Sequence, residues 1–162
     1  MSSDTAAPAK VVSRSQAVWR GAHLFDAGPP GRTHRIDADA KEAPGPVETL
    51  LNALATCSGT DVVDIIGKRK TPVEALTIAV TADRRAEYPR RVQALDIEFR
   101  IDGPGIEREH AERAIQLSFE KYCTVAASLA PDISARTRLT LNGETFPPVK
   151  QNIWTAADAA EA

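Results

Sequence analysis

The sequence predicts an α+β fold, with helices packed on antiparallel sheet. Three observations carry that expectation. Leu50, Leu51, Leu54, Ala55, Val62, Ile65 and Ile66 recur at helical spacing in one long segment. Downstream, Leu76, Ile78 and Val80 alternate with Thr77, Ala79 and Thr81. Leu95, Ile97, Phe99 and Ile101 then alternate with Asp96, Glu98 and Arg100, so two half-buried strands follow one helix. At 162 residues the chain fits one domain with a sizeable core.

The elements follow in order. Residues 1–10, MSSDTAAPAK, are small and polar and are expected to form a disordered tail. Val11–Arg20 alternates loosely and carries Trp19, which suggests a first strand broken by Gly21. Ala22–Asp26 is a second strand, and the GPPG at Gly28–Gly31 is a turn. Arg32–Asp37 is a third. After the loop KEAPGP, Pro46 opens a helix, where its missing N–H costs nothing. Gly45 is the N-cap, and Glu48 falls at N3, where a carboxylate suits the helix dipole.

This helix is expected to reach about Lys68, roughly 30 Å at 1.5 Å per residue. Thr71–Pro72 stops it. The charged stretch Arg84–Arg91 turns the two alternating strands into an antiparallel hairpin, and DGPG at Asp102–Gly105 ends it. A second helix from Ile106 has an apolar stripe of Ala111, Ala114, Ile115, Ser118, Phe119 and Tyr122. Cys123 comes next, and Pro131 closes the helical region. Arg136–Leu141 is a last strand, ended by Asn142–Gly143. The domain is expected over 11–146, with 147–162 a C-terminal tail.

Charge excludes some functions. The net charge is −2 with both signs interspersed, so no basic stripe marks a nucleic-acid surface. The densest basic patches, Arg84–Arg85 and Arg90–Arg91, flank a turn and read as solvated. The N-terminus lacks the apolar core of a secretory signal, and no apolar run approaches the about 20 residues that span a bilayer. A cytoplasmic protein with no membrane partner is expected. His23, His34 and His110 are scattered and no CxxC or HxxxH occurs, so neither a metal site nor a bound cofactor is expected.

Cys57 and Cys123 are the only cysteines. In a reducing compartment they are free thiols or a catalytic redox pair rather than a structural disulfide. Each also suits a small buried apolar position. Cys57 lies three turns inside its helix, beyond the reach of the N-terminal dipole. A reactive thiolate there needs a cation from another element, and Arg20, Arg32 and Arg35 in the N-terminal strands are the candidates. A disulfide needs Cα atoms within about 7 Å. Glu48 is accounted for by capping. Nine residues before Cys57, or about 900° of rotation, it points away from that thiol along the same helix.

PVETLLNALATCSGTDVV, then a hairpin, then AIQLSFEKYCTVAASL, together resemble the OsmC/Ohr family over roughly Trp19 to Leu141. The resemblance implies an OsmC-like α+β fold: antiparallel sheets wrapped around long central helices in an intertwined homodimer, with active sites at the dimer interface. It implies a thiol-dependent peroxidase that reduces organic hydroperoxides. On this pattern Cys57 attacks the peroxide, Cys123 resolves the sulfenic acid as a disulfide, and an external lipoamide-type dithiol reduces it. It also implies an Arg–Glu pair beside the first thiolate, with Arg35 and then Arg20 as the Arg. In typical family peroxidases the acid directly follows the helix-opening proline. Here Val47 holds that place and Glu48 comes one later, about 100° around the helix. EKYCTV, around Cys123, is similar to a branch of OsmC-like proteins without a settled function. The displaced acid motivates a second reading: a non-catalytic OsmC-fold dimer that binds a small apolar molecule, with the cysteines as packing.

Overall fold

The computed structural model describes residues 11–153, which lie in two compact units divided between Thr49 and Leu50. The stretch 1–10, expected to be a disordered tail, lies outside the described residues, as does the end of the expected C-terminal tail.

The first unit is a three-stranded antiparallel sheet in the order β1 (Gln16–Trp19), β2 (Leu24–Gly28) and β3 (His34–Asp37). β1 starts later than the sequence pattern suggests. Its partner β2 offers only five residues, pairing Gln16 with Gly28 and Trp19 with Phe25. Gly28 sits at φ +142°, a conformation L side chains rarely adopt, and a Cβ there would collide with the Arg32 carbonyl oxygen.

β3 ends on a carboxylate that organises the next loop. Asp37 is buried and accepts the backbone N–H groups of Asp39, Lys41 and Glu42, each at 2.9 Å. Those bonds, with Glu42 the strongest, hold its carboxyl below the usual carboxylate range. The loop leads into α1 (Pro46–Gly67). Glu48 Oε2 accepts the Gly45 N–H at 2.8 Å, the reciprocal half of a capping box. Thr49 Oγ1 donates to the Gly45 carbonyl at 2.8 Å.

The second unit holds the rest of α1, then β4 (Ala75–Arg84), β5 (Val92–Asp102) and α2 (Arg108–Leu117). A π-helical turn (Ser118–Tyr122), α3 (Thr124–Ala127), β6 (Ser134–Leu141), β7 (Glu144–Thr145) and β8 (Val149–Gln151) complete it. The sheet runs β4-β5-β6-β7, with β8 also on β6.

Register explains the core. Leu76, Ile101 and Leu141 lie in one row across the sheet, and Ile78, Phe99 and Leu139 in the next. Val80, Ile97 and Thr137 form a third row, and Ala82, Leu95 and Ala135 a fourth. This face packs on Leu54, Val62 and Ile66 of α1 and on Ala111, Ala114 and Ile115 of α2. Fully burying each Leu, Ile or Phe contributes about 1.5–3 kcal/mol. The other face is charged; there Arg136 forks onto Asp96 through two hydrogen bonds of 2.9 Å. Gly59 lets α1 lie close on β4, since a Cβ there would come within 2.7 Å of Ile78 Cδ1.

The second unit differs from expectation in three places. β5 and β6 pair in parallel, so this sheet is mixed rather than antiparallel throughout. The connection between them carries α2 and α3, which is long enough for the crossover that parallel pairing needs. The expected C-terminal tail includes strand β8, because Gln151 is buried and donates to Thr137 Oγ1 at 2.7 Å. That bond satisfies the one polar residue in the core-facing rows. The third difference lies in the helical region. The α-helical stripe expected through Tyr122 breaks at the π turn, where the Cys123 N–H donates to the Ser118 carbonyl at 2.8 Å. The added residue per turn shifts the register by one. Tyr122 leaves the stripe and is 46% exposed, while Cys123 stays inward at 2%.

Candidate active site: a thiol pair with a carboxylate

α1 presents Cys57 half-buried on the side that packs against the core. Its neighbour Ser58 is fully buried, and its hydroxyl donates to the Leu54 carbonyl at 2.9 Å, so no polar group is stranded there. The π turn then delivers the second sulfur. Cys123 caps α3, and its Sγ accepts the Ala126 N–H at 3.4 Å. Both thiols are free, and Cys57 lies near enough to Cys123 to raise its thiol above the ordinary range. The structure thus brings together two cysteines far apart in sequence.

Burial dominates the electrostatics of this pair. It pushes the Cys123 thiol up to about 12. The Ala126 N–H works against that shift, and the neighbouring Cys57 and the charge of Asp61 add to it. Cys123 therefore keeps its proton at neutral pH. Asp61 follows Cys57 by one helical turn, is half-buried, and accepts the Ser118 hydroxyl at 2.8 Å. Sequence reading missed both Asp61 and Ser118. The available signal was a carboxylate one turn from a cysteine within an otherwise apolar helix.

The remaining sequence candidates lie in the first unit. Arg20 and Arg35 converge on one carboxylate, each donating Nε–H to Asp26 at 2.7 Å. These bonds, Arg35 first, hold the Asp26 carboxyl below its usual range. Arg32 is exposed on the approach to β3. Glu48 holds the Gly45 N–H. Among the described residues no group of three or more His, Cys, Asp or Glu side chains could hold a metal ion. No described helix is long and apolar enough to cross a membrane.

The family model described as OsmC-like protein matches residues 38–138, which include both cysteines. The chain belongs to the OsmC family. Protein YhfA of Escherichia coli K12 is 36% identical over 99 residues, 59% of this chain and 74% of YhfA. An OsmC-like protein from Mycoplasma pneumoniae superposes with a TM-score of 0.71 at 16% identity, covering 82% of this chain and 99% of that one. The organic hydroperoxide resistance protein OhrB of Bacillus subtilis superposes with a TM-score of 0.55 at 12% identity, covering 80% and 98%. At these identities the two structures share the OsmC fold with this chain.

Proposed function

We propose that this chain is a thiol-dependent peroxidase that reduces organic hydroperoxides through a Cys57–Cys123 disulfide cycle. The observation that carries the reading is the approach of two free thiols of unequal exposure, Cys57 half-buried and Cys123 buried. A structural neighbour being an organic hydroperoxide resistance protein supports the substrate class. The Cys57 thiolate attacks the distal peroxide oxygen, the O–O bond breaks, and the alcohol leaves with a proton. The Cys57 sulfenic acid then condenses with Cys123, releasing water. An external dithiol of the lipoamide type restores both thiols by exchange.

Arg35, and after it Arg20, is the proposed cation favouring the Cys57 thiolate. The support is the family resemblance and the local charge, since two guanidiniums share one carboxylate at Asp26. Glu48 is left to helix capping. A homodimer and a cytoplasmic setting, where thiols stay reduced, belong to the same proposal. Support for the dimer is a groove of about 570 Å³ on α1 and β4, lined by Ala55, Gly59, Val63, Leu76 and Ile78 among others. It leaves Val63 39% exposed.

The test mixes reduced protein with cumene hydroperoxide and records intact mass. A loss of two hydrogens, absent in Cys123→Ser, is expected; thiols unchanged at modest peroxide excess would refute the reading. The same groove favours one other function, a non-catalytic dimer that binds a small apolar molecule. Alkylation of Cys57 by iodoacetamide no faster than that of free cysteine would favour it over the peroxidase.

A further inference from the structure

Closing the disulfide poses a problem that the two cysteines do not solve alone. The attacking thiol must lose its proton as the sulfur–sulfur bond forms, because the thiolate is the nucleophile. Cys123 is 2% exposed, its Sγ accepts the Ala126 N–H, and Cys57 lies close by. An N–H donor cannot take a proton, and Cys57 is the electrophile in this step.

The cluster holds one further group. Asp61 stands at i+4 from Cys57 on α1, so it faces the same side one turn further on. Its charge is felt at Cys123. Its Oδ2 is fixed by the Ser118 hydroxyl at 2.8 Å, and the Ser118 carbonyl is what Cys123 N–H bonds to at 2.8 Å. One residue thus ties the carboxylate to the backbone that carries the second sulfur. Asp61 Oδ1 has no hydrogen-bond partner among the described residues. A half-buried carboxylate anchored by a single oxygen keeps the other free to accept.

We propose that Asp61, seated by the Ser118 hydroxyl, takes the Cys123 proton when the Cys57–Cys123 disulfide closes. The proposal rests on the two-cysteine peroxidase reading. In the step, Cys123 Sγ loses its proton to the Asp61 carboxylate and attacks Sγ of the Cys57 sulfenic acid. The S–S bond forms as the S–O bond breaks. The departing hydroxide takes the proton from Asp61 and leaves as water. The hydroperoxide that formed the sulfenic acid is the oxidant, and Asp61 ends as it began.

Asp61→Asn keeps size and the acceptor for Ser118 and removes only the basic oxygen. Reduced full-length protein is mixed with one equivalent of cumene hydroperoxide, quenched over time with dimedone, and read by intact mass. Wild type should pass quickly to the disulfide. Asp61→Asn should accumulate the dimedone-trapped sulfenic acid, with closure slowed about 100-fold, at the low end of what a positioned base contributes. Ser118→Ala, which loosens the carboxylate without touching either sulfur, should slow closure less, and Ser118→Thr should restore it. Closure at the wild-type rate in Asp61→Asn overturns the proposal and leaves the peroxidase reading standing. So does slowing in Ser118→Ala alone, which would make Ser118 a packing residue. Failure of every variant, wild type included, to form sulfenic acid or disulfide overturns both.

Discussion

Asp26 and Asp61 are both carboxylates on regular elements, and their surroundings differ in kind. Asp26 lies in β2 of the first unit between two guanidiniums, each more than 45% exposed. The two guanidiniums share that one carboxylate, and water screens all three groups. Asp61 lies on α1 of the second unit one helical turn from Cys57, its charge felt at Cys123 and a neutral hydroxyl its partner. No cation bonds it among the described residues, and the thiol nearby is strongly perturbed. Charge-paired surface groups keep ordinary chemistry, whereas a group that burial has pushed far from its usual range marks a candidate site. The comparison places the perturbed thiol in the second unit and a solvent-screened ion cluster in the first, and each claim below can break or sharpen it.

The largest effect concerns Cys123. A thiol raised to about 12 has a far smaller thiolate fraction at pH 8 than an ordinary cysteine near 8.5. In Cys57→Ser, where burial still acts, alkylation of Cys123 by iodoacetamide should be about a thousandfold slower than in the same protein unfolded in urea. The sign for stability follows. A folded-state value above the unfolded one favours the neutral thiol, so its contribution is full below about 8.5 and lost as pH rises toward 12. Wild type should lose stability relative to Cys123→Ala across that range and not below it. Equal alkylation rates in folded and unfolded protein would remove the perturbed group on which the comparison stands.

Next in size is the core beneath the site. Phe99 is completely buried between Ile78 and Leu139, so Phe99→Ala should cost about 3–5 kcal/mol in urea unfolding. Trp19, 64% exposed on β1, should cost far less when truncated to Ala. Similar costs would mean that the first unit carries a core of its own that its exposed strands do not suggest.

These contrasts also show what the sequence made legible. Period-two alternation located β4 and β5, and a proline, a glycine and Glu48 located the start of α1, because those signals are local. The capping bond at Gly45 was readable for the same reason. The parallel pairing of β5 with β6 was not, since it depends on where a long crossover returns the chain. The π turn was invisible as well: it leaves the apolar stripe intact through Phe119 and takes only Tyr122 off it. Both cysteines were evident as candidates, but their approach is a tertiary contact between segments 66 residues apart, which no local signal carries. Asp61 was overlooked because its partner Ser118 is distant in sequence and was counted as part of an apolar stripe.

A smaller, local effect is expected at Asp37, whose three backbone bonds shape the loop before α1. Its carboxyl is held below the usual range, so its contribution is present above about 3.8 and lost as pH falls through the folded value. Asp37→Asn should speed amide exchange at Asp39, Lys41 and Glu42 near neutral pH. The difference from wild type should persist at pH 4 and shrink only as pH falls well below 3.8, through the lowered folded value, where the native carboxylate is itself protonated. Unchanged exchange at pH 7 would mean that the loop holds its shape without the carboxylate.

The smallest effect tests the comparison most directly. Asp26→Asn leaves Arg20 and Arg35 without their shared anion. Since all three side chains are solvent-accessible, the thermal midpoint should hardly move, and any difference at low salt should vanish in 1 M NaCl. The Asp26 carboxyl is also held below its usual range by these bonds, so any stabilisation belongs to neutral pH and fades on acidification. Hydroperoxide turnover gives the sharper answer. If the pair at Asp26 is only surface pairing, Asp26→Asn turns over like wild type. If one of the two arginines acts on the Cys57 thiolate, releasing it from its anion changes turnover while the fold stays intact. Asp26 would then be a group that holds that arginine in reserve.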